Sequence, residues 1–351
     1  MLNQSQPRSL SGRAATLGGK YRSLITSVAV LALVFVVIQS MISGGIINPY
    51  IELIIEYICI FIIYSLGLNL IYGYTGQFSL GHAAFYGIGA YTAGLLTKLV
   101  LPESVVSFPI ALIAGGLMAA LVSCLIGLPI VRLGSDYLGI ATLGFGIIIT
   151  VLMNNADQVL PAIGGARGLT GIPKLTTFAW TFGLAAVTVL LVRNLIYSAQ
   201  GRAFLAVRED EIAANTMGIN PTRYKLLAFV LGGFLAGVAG GLYAHLYVFV
   251  HPSSFDFLKS IDVLMVVVLG GLGSMSGNII AAVAWIALLE GLRIVLPPEV
   301  LDLRMVIYPL VLIAMMMLRP QGLMGARELS VLKPGKVETA VKREEENVGA
   351  V

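Results

Sequence analysis

Three polar side chains, Gln77, Ser79 and His82, lie close together in a glycine-rich stretch of an otherwise apolar sequence. Ser79 and His82 would share one face of a helix, and a serine beside a histidine can act as a nucleophile and its base. Nucleophilic catalysis also requires a group that orients the base and donors that stabilise an oxyanion, which one helical turn rarely supplies. An intramembrane hydrolase therefore remains only an alternative, and we expect no covalent chemistry.

The same side chains suit the lining of a solute pathway. Polar groups are costly inside a membrane unless they face a cavity or a partner, and the residues around these three are mostly apolar or glycine. We interpret Gln77, Ser79 and His82 as candidates for the substrate pathway. The structural alternative is that they bond to backbone groups that the neighbouring glycines leave loose.

The elements that must position these residues are membrane helices. Hydrophobic residues make up 58% of the 351 residues and charged residues only 11%, whereas a soluble domain would need roughly a quarter charged residues. A spanning helix takes about 20 mostly apolar residues. Such runs lie near 24–46, 52–72, 78–98, 107–131, 138–153, 178–196, 226–249, 261–273, 277–296 and 303–318. The sequence predicts an all-α polytopic membrane protein with about ten transmembrane helices, with about eight as the alternative.

One of these runs, 261–273, is short and is followed by the glycine-rich sequence GGLGSMSGN, Gly270 to Asn278. Backbone that is not helical at membrane depth must be covered by protein or by water. We therefore expect this run to form a short or re-entrant element.

The distribution of Lys and Arg predicts the orientation. Most of the 22 basic residues lie in the two tails and in one central loop, and the positive-inside rule assigns such segments to the cytoplasm. We expect cytoplasmic polar tails at 1–22 and 327–351 around a transmembrane permease domain, 23–326. The net charge of +4 is then a signal of topology, not of nucleic-acid binding.

Several other kinds of site are not indicated. Cys59 and Cys124 lie in apolar runs without CxxC spacing, and His245 and His251 have no Cys or carboxylate neighbours, so we expect no metal site. A phosphate-binding loop of the GxxxxGK[ST] type is also missing from the sequence. Uphill transport would therefore need an ion gradient or another subunit.

Two features inside apolar runs predict packing. Gly233, Gly237 and Gly241 recur at helical spacing and would allow close approach between helices. Glu290 has Arg293 three residues further on, where an intrahelical ion pair would lower the cost of burial.

A charged loop, 197–225, interrupts the apolar runs and contains REDE, Arg208 to Glu211. The sequence FLAVREDEIAANTMGI predicts a short helix that Gly218 ends, followed by a turn at Asn220 and Pro221. Its apolar edge consists of Leu205, Ile212 and Met217. We interpret the loop as a cytoplasmic docking helix for a soluble motor; an interfacial helix lying on lipid is the alternative.

The larger loop expected on the opposite side, 154–177, contains prolines and glycines that favour a compact, turn-rich structure. It could meet a partner outside the cell or serve only as a connector.

Several separate blocks of the sequence resemble one family. The blocks are GYTGQFSLGHAAFYGIGAY (73–91), YLGIATLGFG (137–146), GGARGLTGIP (164–173), REDEIAANTMGINPTRYKLLAF (208–229), AGVAGGLYAH (236–245), VLGGLGSMSGN (268–278) and LRPQGLMG (318–325). Over roughly 50–325 the chain resembles the inner-membrane permeases of ABC importers for branched-chain amino acids, the LivH/LivM permease family, and in particular its LivM type.

The resemblance implies roles for specific residues. The loop residues that would correspond to the ATPase-coupling element are Arg208, Glu209, Ala213, Ala214, Gly218, Lys225, Ala228 and Phe229. The residues that would approach a periplasmic binding protein are Gly164, Gly165, Arg167 and Gly168. Arg167 departs from the small or polar residue that the family often has there.

The resemblance also implies the partners: a LivH-type permease as the second half of a heterodimer, two cytoplasmic ABC ATPase subunits and a periplasmic amino-acid-binding protein. No cofactor would bind this chain, because ATP and Mg would bind the ATPase subunits. The expected function is that of a non-catalytic permease that forms half of a pathway for branched-chain amino acids in a bacterial inner membrane. The alternatives are a permease of the same family for urea or short-chain amides and an ion-coupled secondary transporter.

Overall fold

The structure, a computed structural model, describes residues 10–101, 106–132 and 135–295, and beyond them 310, 313, 314, 317–319, 321–325, 328, 329 and 332. Side chains are described from residue 25 onward, except at 135, 136 and 295. Most of the predicted tail at 327–351 and most of the predicted segment 303–318 lie outside these residues.

The chain divides into two units, residues 1–40 with 328–351 and residues 41–327. The first unit contains most of helix α1, Leu10–Ser43. This helix begins inside the segment 1–22 that we predicted as a polar tail, because the segment contains good helix formers such as Ala14 and Ala15. The second unit contains the other helices and the candidate site.

The helices of the second unit follow the predicted apolar runs, except for α7 and α8, which lie in the charged loop 197–225. They are α2 (Pro49–Leu68, continued by a π-helix at Asn69–Gly73), α3 (His82–Leu99), α4 (Ser107–Ile130), α5 (Ser135–Asn154), α6 (Phe178–Ile196), α7 (Ala199–Glu209), α8 (Glu211–Thr216), α9 (Pro221–Tyr247), α10 (Phe257–Gly270) and α11 (Met275–Val295). The prediction of an all-α polytopic membrane protein is confirmed.

Seven helices of the described residues are long and apolar enough to cross a membrane: α1, α2 with its π-helix, α4, α5, α6, α9 and α11. Three of the ten predicted segments are not among these seven helices. Two of them correspond to α3 and α10, and the third, 303–318, lies largely outside the described residues. α10 has 14 residues and is about 21 Å long at 1.5 Å per residue, less than the roughly 30 Å of a hydrocarbon core. It is the short element that the sequence predicts.

Helix α9 forms the centre of the second unit, where it packs against α2, α3 and α4. Its glycines make this packing possible. A Cβ at Gly232 would lie 2.6 Å from the carbonyl oxygen of Gly67, and one at Gly237 would lie 2.6 Å from the Cβ of Ala119. The predicted glycine stripe therefore serves helix packing, in which close van der Waals contact replaces the hydrophobic effect.

The chain between α2 and α3 crosses the interior of the unit without helical structure. We call residues 74–81 the interior segment. At the start of α3, His82 Nε2 lies 3.2 Å from the carbonyl oxygen of Tyr64. Tyr64 is nine residues before Gly73, where the π-helix ends. At a rise of 1.5 Å per residue, the start of α3 is therefore about 13 Å from the end of the π-helix, measured along the axis of α2. Residues 78–81, which we predicted as the start of the span 78–98, thus precede α3 and are not helical.

The charged loop 197–225, called here the polar loop, forms two helices instead of the single one predicted. α7 ends at Glu209 because Asp210 has an extended backbone and caps α8, accepting hydrogen bonds from the amides of Ile212 (2.8 Å) and Ala213 (3.0 Å). Gly218 is left-handed, with φ of 82°, and follows the end of α8 as predicted. Asn220 caps α9.

The loop 154–177, at the other end of the unit, contains short 3₁₀ turns and strand β1 (Leu169–Thr170), which pairs antiparallel with β2 (Phe249–Val250). The His251 ring joins the same structure, since its Nε2 lies 3.1 Å from the carbonyl oxygen of Ala166. The loop is therefore compact and turn-rich, as the sequence indicated. We call this end of the unit the far end, and the end that holds α7 and α8 the loop end.

Candidate functional site

Two breaks in the helices meet at the loop end. One is the π-helix Asn69–Gly73 with the interior segment, and the other is the turn 271–274 between α10 and α11. The buried side chain of Asn69 joins them. Its Nδ2 donates to the carbonyl oxygen of Ser274 (3.1 Å), and its Oδ1 accepts from the amide of Gly273 (3.2 Å). An asparagine can do both because it carries a donor and an acceptor.

Arg208 of α7 reaches the same junction from the polar loop. Its Nη1 donates to the carbonyl oxygen of Gly73 at 2.6 Å. A Cβ at Gly76 would lie 3.5 Å from Arg208 Cγ, and one at Gly273 would lie 2.8 Å from Nη1. Both glycines have positive φ, 71° and 79°. The Arg208 side chain therefore lies against both breaks, at positions where the absence of a Cβ gives it room.

A second connection runs through Lys225 of α9. Lys225 is buried, and its ammonium group forms an ion pair with Glu211 of α8. Its backbone carbonyl accepts a hydrogen bond from Gln77 Nε2 (3.0 Å), which also donates to Thr75 Oγ1 (2.7 Å). The polar loop thus contacts Gly73, the last residue of the π-helix, and Gln77 of the interior segment.

The predicted pathway residues all lie in this region and are fully buried. The His82 ring stacks on that of Tyr64, with centroids 5.0 Å apart. Within the described part of the chain, Gln77 Oε1, Ser79 Oγ and His82 Nδ1 have no hydrogen-bond partner. Buried polar atoms normally have one, so the packing of the described residues leaves hydrogen-bonding capacity unused at these three atoms.

The arrangement does not support hydrolysis. Ser79 Oγ makes no hydrogen bond to His82 in the structure, because neither Ser79 Oγ nor His82 Nδ1 has a partner and His82 Nε2 faces the carbonyl oxygen of Tyr64. A serine nucleophile needs a base within hydrogen-bonding distance. Ser79 and His82 are therefore not placed for nucleophilic attack.

The residues assigned to ATPase coupling separate into two groups. Exposed on the polar loop are Arg208, Glu209, Ala213 and Gly218, whereas Ala214, Lys225, Ala228 and Phe229 are buried. Phe229 packs against Phe85 of α3, with ring centroids 5.4 Å apart. Only the first group can touch another protein directly, and the second group can act only by supporting the loop.

The apolar edge of the polar loop is also exposed. Ile212 and Met217 have 79% and 81% of their surface accessible, and Leu205 has 37%. Three acidic residues, Glu209, Asp210 and Glu211, lie between Leu205 and Ile212 in the sequence. An exposed apolar edge beside acidic groups suits a protein partner better than an anionic lipid surface.

At the far end, the predicted docking residues lie in a rigid turn. Gly164, Gly165 and Gly168 all have positive φ, which a residue with a side chain would adopt only with strain. Arg167 is exposed between them. The glycines shape the turn, and Arg167 is the side chain that it presents.

Some polar residues of the second unit were missed by the sequence reasoning. Lys259 of α10 donates to Tyr57 Oη at 2.7 Å and lies 3.6 Å from Asp262, and Asn278 Nδ2 donates to Ser65 Oγ at 2.9 Å. The spacing of Lys259 and Asp262, three residues apart at the start of a helix, could have indicated the pair. The predicted pair of Glu290 and Arg293 is formed, at 3.6 Å.

Comparison with known proteins identifies relatives over most of the chain. The family model described as "Branched-chain amino acid transport system / permease component" matches residues 50–316. The permease protein LivM of the high-affinity branched-chain amino acid transport system of Escherichia coli K12 is 36% identical over 299 residues, 76% of this chain and 68% of the relative.

LivM of Salmonella typhimurium is 35% identical over 314 residues, 80% of this chain and 71% of the relative. LivH of the same organism, a permease protein of the same kind of system, is 24% identical over 287 residues, 76% of this chain and 91% of the relative. No solved structure matches the chain significantly.

Proposed function

The chain belongs to the family of branched-chain amino acid transport system permease components, and from this premise we propose that it is one permease subunit of an ATP-driven importer. It is a multi-pass membrane protein and a transport component, not an enzyme. Its substrate is a branched-chain amino acid, the class named for its relatives. Since both LivM and LivH proteins are among those relatives, it works as half of a permease pair.

The contact between Arg208 and Gly73 is the observation that carries the proposal. It connects a loop that is exposed at one end of the unit with backbone that lies in the interior. A movement imposed on the polar loop would therefore displace the interior segment, which holds Gln77 and Ser79 and leads to His82. Energetic coupling between distant sites requires such a contiguous physical connection.

Two ABC ATPase subunits, which bind ATP and Mg, supply the energy for transport. They dock on Glu209, Ala213 and the exposed edge of Ile212 and Met217. A binding protein delivers the amino acid at the far end, on the turn that presents Arg167. The loop end is cytoplasmic, as are both termini, in a bacterial inner membrane. The basic residues of the polar loop support this orientation.

Gln77, Ser79 and His82 line the pathway of the substrate in this proposal. Their unpartnered atoms offer weak polar contacts to a zwitterion, and the surrounding walls are apolar. Weak contacts are an advantage in a pathway, because a solute that binds tightly leaves slowly.

Reconstitution tests the function directly. The chain is co-expressed with a LivH-type permease and the two ATPases, placed in liposomes, and supplied with binding protein and leucine. We expect import of leucine that requires ATP, and leucine-stimulated ATP hydrolysis. Import driven by an ion gradient through this chain alone, or import of urea or a short-chain amide with no import of leucine, would overturn the proposal.

A charge reversal tests the docking site in the same system. Glu209→Lys changes an exposed charge on the polar loop and should reduce co-purification of the ATPase subunits. Asp157→Lys is the matched control, since Asp157 is exposed at the far end. Equal recovery of the ATPases with both variants would contradict the assignment of the docking surface.

A further inference from the structure

A cavity of about 340 Å³ lies between α3, α5 and α10, next to the interior segment. We propose that it is a resting site for the amino acid on its way through the membrane, with the α-ammonium group at Asp256 and the apolar side chain against α5. This inference rests on the proposed function and names a site for the substrate that function implies. None of Gln77, Ser79 and His82 is among the residues that line the cavity.

The size and walls of the cavity fit a small apolar solute. Ligand pockets usually measure about 300–1,000 Å³, so this cavity is at the small end of that range. Its walls include Leu143, Ile147 and Val151 of α5 and Phe255 and Leu258 beside and within α10. These side chains offer apolar contact on two sides.

The polar groups of the cavity favour a cationic group over an anionic one. Asp256 is the one charged residue in the lining. Its Oδ1 caps α10 by accepting from the amide of Lys259 at 3.2 Å, and none of the ion pairs formed within the described residues involves Asp256. The hydroxyl groups of Thr150 and Ser260 are the other polar side-chain groups. The α-ammonium group and apolar side chain of an amino acid match one carboxylate in an apolar cavity. Its α-carboxylate can accept from the hydroxyl of Ser260, whose Oγ accepts from the amide of Ala83 at 3.0 Å and keeps its own proton as a donor.

A lipid chain could also occupy an apolar cavity, since Ile147 and Val151 are about half exposed on the chain alone. A hydrocarbon chain would leave Asp256 without a counter-charge, which is unfavourable in a membrane. The carboxylate therefore favours the amino acid. The lipid remains an outcome that the experiment separates.

The cavity ends at the interior segment. Leu80 is part of its lining, and the amide of Leu80 donates to Thr142 Oγ1 at 3.0 Å. Gln77, three residues earlier, is bonded to the backbone of Lys225. The polar loop is thus connected to the segment that contributes Leu80 to the cavity wall, so a movement of the loop would change that wall and release a bound solute toward the loop end.

Filling the cavity provides the first test. A Cβ at Gly146, which lines the cavity, would meet only Gly81 Cα at 3.7 Å, an ordinary contact. Gly146→Val should therefore fold and reduce the space. Gly183→Val is the matched control, because a Cβ at Gly183 on α6 would meet no atom within 4 Å and this residue does not line the cavity.

The measurement is import into liposomes that contain the complete transporter, with valine or leucine at concentrations that saturate the binding protein. We expect Gly146→Val to lower import of leucine more than import of valine, so that the ratio of leucine import to valine import falls about tenfold. One methylene group in an apolar pocket gives about this much discrimination. Gly183→Val should leave the ratio unchanged. The same ratio in both variants would overturn the inference and indicate a cavity filled by lipid.

Removing the charge provides the second test. Asp256→Asn keeps a residue that caps helices well, so α10 should remain intact, while the partner of the ammonium group is lost. We expect the maximal import of leucine to fall about tenfold, the size of one weakened charged contact. Asp256→Glu should recover part of the rate, and unchanged import in Asp256→Asn would overturn the assignment of the ammonium group.

Failure of the inference and failure of the proposed function give different results. If the unmodified transporter imports leucine with ATP and the variants behave like their controls, the function stands and the site is wrong. If the unmodified transporter imports no leucine, the proposed function fails, and the inference fails with it.

Discussion

Asn69 illustrates at the scale of single residues how buried polar groups hold this protein together. The side chain is fully buried and bonds to backbone atoms of Gly273 and Ser274, about 200 residues away. Backbone groups at a helix break have lost their helical partners. Asn69 replaces those partners, so the two breaks stay together in the interior.

Replacement of Asn69 should therefore destabilise the fold. Asn69→Ala leaves the amide of Gly273 without this partner, a loss of about 1–3 kcal/mol, and leaves the carbonyl of Ser274 with only its bond from the amide of Asn278. We expect a clear drop in the midpoint of thermal unfolding in detergent. Asn155→Ala is the control, since Asn155 is exposed and bonds to Val151 of its own helix. Equal midpoints for the two variants would contradict this role of Asn69.

Close packing at α9 gives a second prediction at this scale. A Cβ at Gly240 would overlap the carbonyl oxygen of Tyr86, and backbone atoms cannot move aside cheaply. Gly240→Ala should cost about 1–3 kcal/mol, as overpacking does in other cores. Gly183→Ala, at an open position, should cost much less. Thermal unfolding measures both, and a stable Gly240→Ala protein would show that α3 and α9 are less tightly packed than described.

At the scale of elements, the polar loop combines an exposed outer surface with a buried inner one. α8 presents Ile212 to solvent while Ala214 faces inward. α7 turns Arg208 toward the junction of the two breaks. The two short helices are separated at Asp210, which lets each take its own direction. This loop can therefore bind a partner and contact the interior at the same time.

Replacement of an apolar residue by a charged one on the outer surface of the polar loop tests whether the ATPase subunits bind there. Met217→Asp should abolish co-purification of the ATPase subunits, because a buried apolar anchor at an interface is often worth about 2 kcal/mol or more. Val159→Asp, at an equally exposed apolar residue of the far end, at 86% exposure, should not affect that binding. If the Met217→Asp protein still binds the ATPases, the docking surface lies elsewhere on the protein.

The sequence predicts the spanning helices better than it predicts their breaks. Apolar runs of sufficient length indicate α2, α4 and α9 because burial in lipid demands such runs. Phe78 and Leu80 continue the apolar character of the helix that follows, so hydropathy does not separate 78–81 from α3. The link between Arg208 and Gly73 joins residues far apart in the chain, and no local pattern encodes it.

The candidate site also contains some residues that the sequence indicates and others that it does not. Gln77, Ser79 and His82 could be selected from the sequence because polar residues are rare in apolar runs. Asp256 and the cavity could not be selected, because the cavity exists only where α3, α5 and α10 come together. The exposed and buried parts of the polar loop also depend on tertiary packing.

At the scale of the whole molecule, the proposals above place a functional region at each end of the second unit. The far end carries the turn with Arg167, and the cavity runs from Asp256 inward to Leu80. The interior segment follows, and the polar loop holds it at the loop end. The order of these parts matches the route of an imported solute and the route of the force that would drive it.

The orientation of the two ends can be tested by labelling. In a protein with Cys59→Ala and Cys124→Ala, Glu209→Cys and Arg167→Cys each place one thiol at an exposed site. A membrane-impermeant maleimide should label Arg167→Cys in intact cells freed of the outer membrane and Glu209→Cys only in inverted vesicles. Labelling of both from the same side would refute the proposed topology.

The central claim is that ATP-driven movement of the polar loop reaches the pathway through Arg208. The most direct measurement is the amount of leucine imported per ATP hydrolysed in liposomes with the complete transporter. Arg208→Gln should keep the ATPases bound and hydrolysing ATP but lower this ratio about tenfold or more, the effect expected when a charged hydrogen bond is lost. Arg202→Gln, the same change on the exposed face of α7, should leave the ratio unaltered. An unaltered ratio in Arg208→Gln would contradict the claim.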